Sequence, residues 1–225
     1  MSALGSIDAL QNTLQQILPN AQLSASTLPD LPELQLWLLD PANLDRAFAS
    51  DETQRLLEQP PYWGFCWGSG LALARWILDH PEQVHGKRVL DFGAGSGIVA
   101  LACSAAGARQ SIACDLDHPA RLASAMNAQL NGLGIELADD YFAVTDELDL
   151  IFAADVLYDQ DNHGFLGHFL NRANDVLIAD SRVRDLQHPG YRRVATLSGQ
   201  TWPDLGEPEI FRQVSLYRSA AAVTC

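Results

Sequence analysis

The sequence predicts an α/β protein: a doubly wound, mostly parallel sheet with helices on both faces, preceded by an N-terminal extension of helix and strand. Three observations carry this. Between residues 88 and 180 short apolar runs alternate with helical patterns, the rhythm of repeated strand–helix–strand units. Four of the runs end in aspartate, at Asp91, Asp115, Asp155 and Asp180. A glycine-rich segment, Asp91-Phe92-Gly93-Ala94-Gly95-Ser96-Gly97, separates the first run from a small-residue helix.

Taken in order, Ile7, Leu10, Leu14, Ile17 and Leu18 recur at helical spacing and predict an amphipathic helix ending before Pro19. Leu28-Pro-Asp-Leu-Pro is a cluster of chain breakers, and residues 33–39 alternate as a strand. These elements form an extension over residues 1–60, expected to pack on a main domain of residues 61–225. Leu73, Trp76 and Ile77 place a helix over residues 69–80. Strands follow at 88–91, 111–115, 148–155 and 175–180, with a short one near Ile135–Leu137. Helices are expected from Ile98, from Pro119 (proline in a first turn) and around Phe165–Leu170. Residues 194–197 and 211–217 read as a late antiparallel pair.

The chain has 225 residues with 48% apolar content, enough for a real core and against general disorder. Its net charge of −14 repels phosphate backbones and argues against nucleic acid as the main partner; a lysine-bearing protein is easier to attract. Cys66, Cys103, Cys114 and Cys225 show no C-x-x-C spacing, so no zinc site is expected. The histidines form no i, i+4 or H-E-x-x-H set, so no metal is expected at all; His118 and His163 read as ordinary loop residues. With no signal peptide and no long apolar run, neither secretion nor a membrane span is expected, and a reducing cytoplasm is the default.

The glycine segment has the context that a ligand loop needs. Glycine tolerates positive φ and lets a ligand approach the backbone, and the following helix offers free N–H groups. Ligands of such sheets bind outside the carboxyl ends of the strands, where Asp115 is placed to accept both hydroxyls of a ribose. The dinucleotide pattern G-x-G-x-x-G would need glycine where this chain has Ile98, and no G-K-[ST] follows. The order D-x-G-x-G-x-G instead resembles the first motif of class I S-adenosylmethionine-dependent methyltransferases.

More narrowly, residues 60–160 resemble the protein-lysine methyltransferases that modify the β-subunit of electron transfer flavoprotein. The segment Pro61-Tyr62-Trp63-Gly64-Phe65-Cys66-Trp67, the helix ending Ala74-Arg75-Trp76-Ile77-Leu78-Asp79, Asp115-Leu-Asp-His-Pro119, Asn127-Ala-Gln-Leu-Asn131 and Asp155-Val-Leu-Tyr158 carry the likeness. The resemblance implies a seven-stranded Rossmann-like methyltransferase fold, S-adenosylmethionine as cofactor, and methyl transfer to lysine in a protein, with the flavoprotein β-subunit the first candidate. It implies that Asp91, Gly93, Gly95 and Gly97 line the cofactor, that Asp115 holds its ribose, and that Trp67 shields it. Asp155 and Tyr158 match a D-x-x-Y motif bordering both cofactor and lysine; they are the expected catalytic residues, in orienting roles. Where that group carries Asp-Pro-Gly-Arg, this chain reads Asp180-Ser181-Arg182-Val183.

The residues themselves leave other roles open. Trp63, Asn127 and Asn131 read as structural, Asp117 as a helix cap, and Asp139 or Asp140 as adenine neighbours. Methylation of a small amine and a noncatalytic scaffold are the competing functions.

Overall fold

The computed structural model describes residues 5–220; Cys225 lies outside them. A seven-stranded sheet runs in the order β5-β4-β3-β6-β7-β9-β8. Its strands are β3 (Arg88–Phe92), β4 (Gln110–Cys114), β5 (Glu136–Ala138), β6 (Leu148–Ala154), β7 (Ala173–Asp180), β8 (Tyr191–Ser198) and β9 (Gln213–Ser219). The first five pair in parallel. β9 returns antiparallel between β7 and β8, so the expected late pair closes one edge. β8 exposes Arg192 and Arg193 on that edge, where charge discourages pairing with another chain.

Period-two alternation divides the core. Val89, Leu150, Phe152, Leu177 and Ala179 face one layer with helices α3 (Gly68–Asp79) and α4 (Ile98–Ala105). Ile151, Ala153, Val176 and Ile178 face the other, with Leu166 and Phe169 of α6 (Phe165–Arg172). Strands apolar on both sides belong inside a parallel sheet covered by helices.

The N-terminal elements are α1 (Ile7–Ile17), the hairpin β1 (Leu23–Leu28) and β2 (Leu31–Leu39), and α2 (Ser50–Glu58). Ser6 caps α1, its Oγ accepting the Ala9 amide at 3.2 Å. Sequence patterning missed β1 and α2. β1 is largely Ser, Thr and Ala and is completed by its register with β2. In α2, Glu52 reaches back to the Ala49 amide at 2.9 Å and pairs with Arg46, half of a capping box without a Ser or Thr to announce it. Leu10, Leu14 and Leu39 pack on Ala123 and Met126 of α5 (His118–Asn131), while Leu34, Leu36 and Leu38 join the α3–α4 layer.

The chain's single lysine, Lys87, precedes β3 at the amino end of the sheet. A cavity of about 490 Å³ lined by Leu170, Asp175, Arg192 and Arg218 lies at the amino end of β7, on that same side. The residues singled out by sequence lie at the opposite, carboxyl end.

Candidate active site at the carboxyl rim

Strand register sets the rim. Phe92 lies beside Cys114 on β4 and beside Ala153 on β6, and Ala154 lies beside Ala179 on β7. The segments opening at Asp115, Gly93, Asp155 and Asp180 are therefore neighbours, one strand spacing of about 4.8 Å apart. Helical connections leave β3 and β6 in opposite directions across the sheet, which makes their junction the switch point where such sheets bind ligands.

On the β3–β4 side, the amides of Gly93 and Ala94 donate to the Cys114 carbonyl at 2.9 and 3.1 Å. Gly93, Gly95 and Gly97 all have positive φ, the region that favours glycine. A Cβ at Gly97 would stand 2.7 Å from Ser124 Oγ, whereas one at Gly95 would meet nothing within 4 Å. Gly97 is thus demanded by backbone and packing, and Gly95 leaves an open face above the loop. Asp91 is 3% exposed, with Oδ2 accepting the Ala100 amide at 3.1 Å. Burial raises its carboxyl to about 7, against the lowering effect of that amide. Asp115 accepts the amides of Gly95 and Asp117 at 2.9 and 3.0 Å; burial raises its carboxyl as well. Asp117 makes no side-chain cap on α5. Asp139 and Asp140 are exposed after β5, and Asp140 accepts the Phe142 amide at 2.8 Å.

The brace behind this loop is α5. Ser124 donates to the Gly95 carbonyl at 3.2 Å. Asn127, completely buried, donates to the Ser96 carbonyl at 2.8 Å and accepts the Trp37 amide of β2 at 2.6 Å. Asn131 meets both backbone groups of Gln35, at 2.9 and 2.6 Å. Asn127 is therefore structural in kind but positions the glycine loop, tying it to the N-terminal hairpin.

On the β6–β7 side, Asp155 adopts φ +50, uncommon outside glycine but tolerated by aspartate. Its carboxylate accepts four hydrogen bonds: Ser69 N at 3.0 Å, Ser69 Oγ at 2.6 Å, Ser181 N at 3.3 Å and Ser181 Oγ at 3.0 Å. It thereby fastens the first turn of α3 to the ends of β6 and β7. Asp180 accepts the amides of Arg182 and Val183 at 2.8 and 2.7 Å, and burial raises its carboxyl. Ser181 stands where the resembling group has proline, so the altered Asp-Ser-Arg loop supplies Asp155 with a hydroxyl. The Val156 and Leu157 carbonyls are held by Asn162 and His163 at 2.9 Å each, giving His163 a bracing role.

Tyr158 is 59% exposed, beside Tyr62 at a centroid distance of 6.0 Å. Trp67 packs edge-on against Tyr62 at 5.7 Å and donates Nε1 to the Tyr62 carbonyl at 2.9 Å. Trp63 is buried in the core. Ser69, Ser181, Ser124 and Asn127 escaped sequence reading as site-building residues; their partners are distant in the chain, and a lone Ser or Asn carries no spacing signal. Among the described residues no group of three or more His, Cys, Asp or Glu is arranged to hold a metal.

The rim fits S-adenosylmethionine by its own chemistry. Gly95 offers backbone that a ligand can approach, and Asp115 is an acceptor-only group at the next strand end when ionised. The exposed rings of Tyr62 and Tyr158, with the partly buried Trp67 against Tyr62, complete this end of the sheet.

Comparison with known proteins agrees. A family model described as ribosomal protein L11 methyltransferase (PrmA) matches residues 73–159. The chain is 35% identical over 144 residues to the electron transfer flavoprotein beta subunit lysine methyltransferase of Homo sapiens, covering 63% of this chain and 54% of that protein. To the protein of the same name from Xenopus laevis it is 32% identical over 194 residues, 82% of this chain and 78% of that one. The chain thus spans little more than half the length of the human relative. The solved ribosomal protein L11 methylase of Lactobacillus delbrueckii subsp. bulgaricus shares the fold, with a TM-score of 0.50, 22% identity and coverage of 77% and 80% of the two chains.

Proposed function

The chain belongs to the electron transfer flavoprotein β-subunit lysine methyltransferase family, and on that premise we propose that it transfers methyl groups from S-adenosylmethionine to lysine in a protein, the flavoprotein β-subunit being the first candidate. One observation supports this most directly. The glycine loop and the Asp155–Tyr158 segment follow adjacent parallel strands, so a donor on the first and an amine beside the second come within reach of one another.

Bound S-adenosylmethionine supplies a methyl group on a positively charged sulfur, which leaves as a neutral thioether without acid catalysis. Gly93, Gly95, Gly97 and Asp115 would hold it, with Asp91 fixing the loop from beneath and Trp67 at its edge. The chain's task is proximity, orientation and exclusion of water. The lysine nitrogen must lose its proton to expose a lone pair, and the carboxylates around Tyr158 favour the charged ammonium. Proton departure to water therefore fits this rim better than a carboxylate base. Asp155, bonded on all sides, positions α3 and the 155–158 loop; Tyr158 is the group turned toward the acceptor. The net charge of −14 draws a lysine-rich surface, an attraction that salt weakens. The buried thiols of Cys66, Cys103 and Cys114 suit a cytoplasmic setting, which is part of the same proposal.

The deciding experiment mixes the purified chain, isotopically labelled S-adenosylmethionine and purified electron transfer flavoprotein, and maps methyl groups by mass spectrometry. Methylated lysine on the β-subunit is the expected result. Label on another protein would change the target and keep the chemistry; label only on a small amine would overturn the reading.

A further inference from the structure

We propose that Tyr62 and Tyr158 form an aromatic corner that receives the side-chain ammonium of the acceptor lysine, unmethylated or methylated, with Tyr62 a specificity-determining residue. The proposal deepens, and rests on, the lysine-transfer reading.

Both rings are displayed rather than packed away: Tyr62 is 45% and Tyr158 59% exposed. Their planes meet at 61° with centroids 6.0 Å apart, so a cation seated in the angle lies close to both. Attraction to a ring face extends to about 6 Å from the centroid. Trp67 continues the wall, its plane at 67° to that of Tyr62, and its Nε1 bond to the Tyr62 carbonyl fixes the indole. The backbone beneath is rigid, since the Tyr62 amide donates to Pro60 at 2.8 Å and Trp63 is buried.

Charge around the corner has the right sign. Burial, the neighbouring Tyr62 and the carboxylates of Asp159, Asp115 and Asp117 all push the Tyr158 hydroxyl upward. Arg121, on α5, donates instead to the carbonyls of Asp115 and Leu116, at 2.7 Å each. Among the described residues the cation–π contacts are made on Phe48 and Phe211, not on these three rings. The Asp155–Tyr158 segment adjoins the glycine loop: a Cβ at Gly93 would come within 2.8 Å of Val156. An ammonium in the corner is therefore beside the methyl donor's loop. Each methyl added weakens hydration of the cation and keeps its charge, which favours ring faces over water and retains partly methylated lysine for another round.

The test titrates the chain with N-acetyl-trimethyllysine amide and with its neutral tert-butyl isostere, following the probe's methyl resonances by NMR. Ring-current shifts are expected for the cation in the wild type. Tyr62→Ala should weaken its binding about two- to fivefold while Tyr62→Phe stays close to wild type, with thermal unfolding confirming that both variants are folded. Equal binding of the isostere, unchanged affinity in Tyr62→Ala, or no binding of the cation would each overturn the proposal. No methyl donor or flavoprotein enters this titration. Failure to methylate flavoprotein, with the cation still bound, would count against the function and leave the corner standing.

Discussion

On the glycine-loop side of the rim, the turn itself is set by the backbone, through three positive-φ glycines and two amides on the Cys114 carbonyl, and the side chains of Asp115, Ser124 and Asn127 brace it from outside. On the Asp155 side conformation is fixed by side chains from three separate segments, Ser69, Asp155 and Ser181, meeting at one carboxylate. The first arrangement tolerates few residue types at fixed spacing and presents an open face to a small ligand. The second is assembled only when α3, β6 and β7 are already packed. The difference teaches that residue types on the proposed donor side are restricted by local backbone geometry, whereas those on the proposed acceptor side are restricted only by tertiary structure.

The largest expected effect probes the glycines against each other. Gly97→Ala should lower unfolding free energy by about 2–5 kcal/mol, from left-handed backbone strain and overpacking against Ser124. Gly95→Ala should cost only about 1–2 kcal/mol of stability yet weaken S-adenosylhomocysteine binding, because its Cβ would enter the open face. Urea unfolding and calorimetry on both variants measure this; equal stability losses with intact binding would break the distinction.

Next come the two strand-end aspartates. Asp115→Ala should cost about 1.5–3 kcal/mol of S-adenosylhomocysteine affinity, the range for hydrogen bonds to a charged group. Asp155→Asn should instead lower stability by about 1–3 kcal/mol, since an amide cannot replace every bond that the carboxylate accepts. Its turnover should fall further than its cofactor affinity. If both variants lose binding equally, the rim is one site rather than two.

The smallest effect, counted per pH unit, concerns pH. Burial holds the folded-state carboxyl of Asp91 at about 7 instead of its ordinary 3.8. Between these values the folded protein keeps a proton that the unfolded chain has released, so this group's contribution to stability falls as pH rises. Relative to Asp91→Asn, the wild type should lose about 1.4 kcal/mol from roughly pH 5 to roughly pH 6. The difference should level off below the unfolded value and above the folded one. Paired unfolding curves at several pH values measure it; a flat difference would mean that the carboxyl is ionised throughout.

The comparison also explains what could be read in advance. The strand–loop–helix at 88–105 and the acid after β4 were legible because local backbone geometry restricts their residues. The parallel sheet followed from the alternation of strand and helix between residues 88 and 180. The Asp155 network was not legible: Ser69 and Ser181 are ordinary serines until the fold brings them together. Asn127 likewise gives no sign that it joins β2 to the glycine loop. β1 stayed hidden because its polar composition is stabilised by a partner strand, and α2 because alanine stands at its cap. The Asp155–Tyr158 motif announced Tyr158, while Tyr62 passed as part of an aromatic run.

Lys87 has a practical consequence. It is the chain's one side-chain amine and stands at the amino end of β3, across the sheet from the rim. An amine-reactive dye or surface linker directed to that side chain would tether the protein by its far pole and leave the aromatic corner facing solution. Isotope incorporated into side chains of the protein itself would have a single lysine address. Replacing Lys87 with arginine would erase even that, so that lysine methylation measured in a mixture with the proposed substrate could not come from the protein itself.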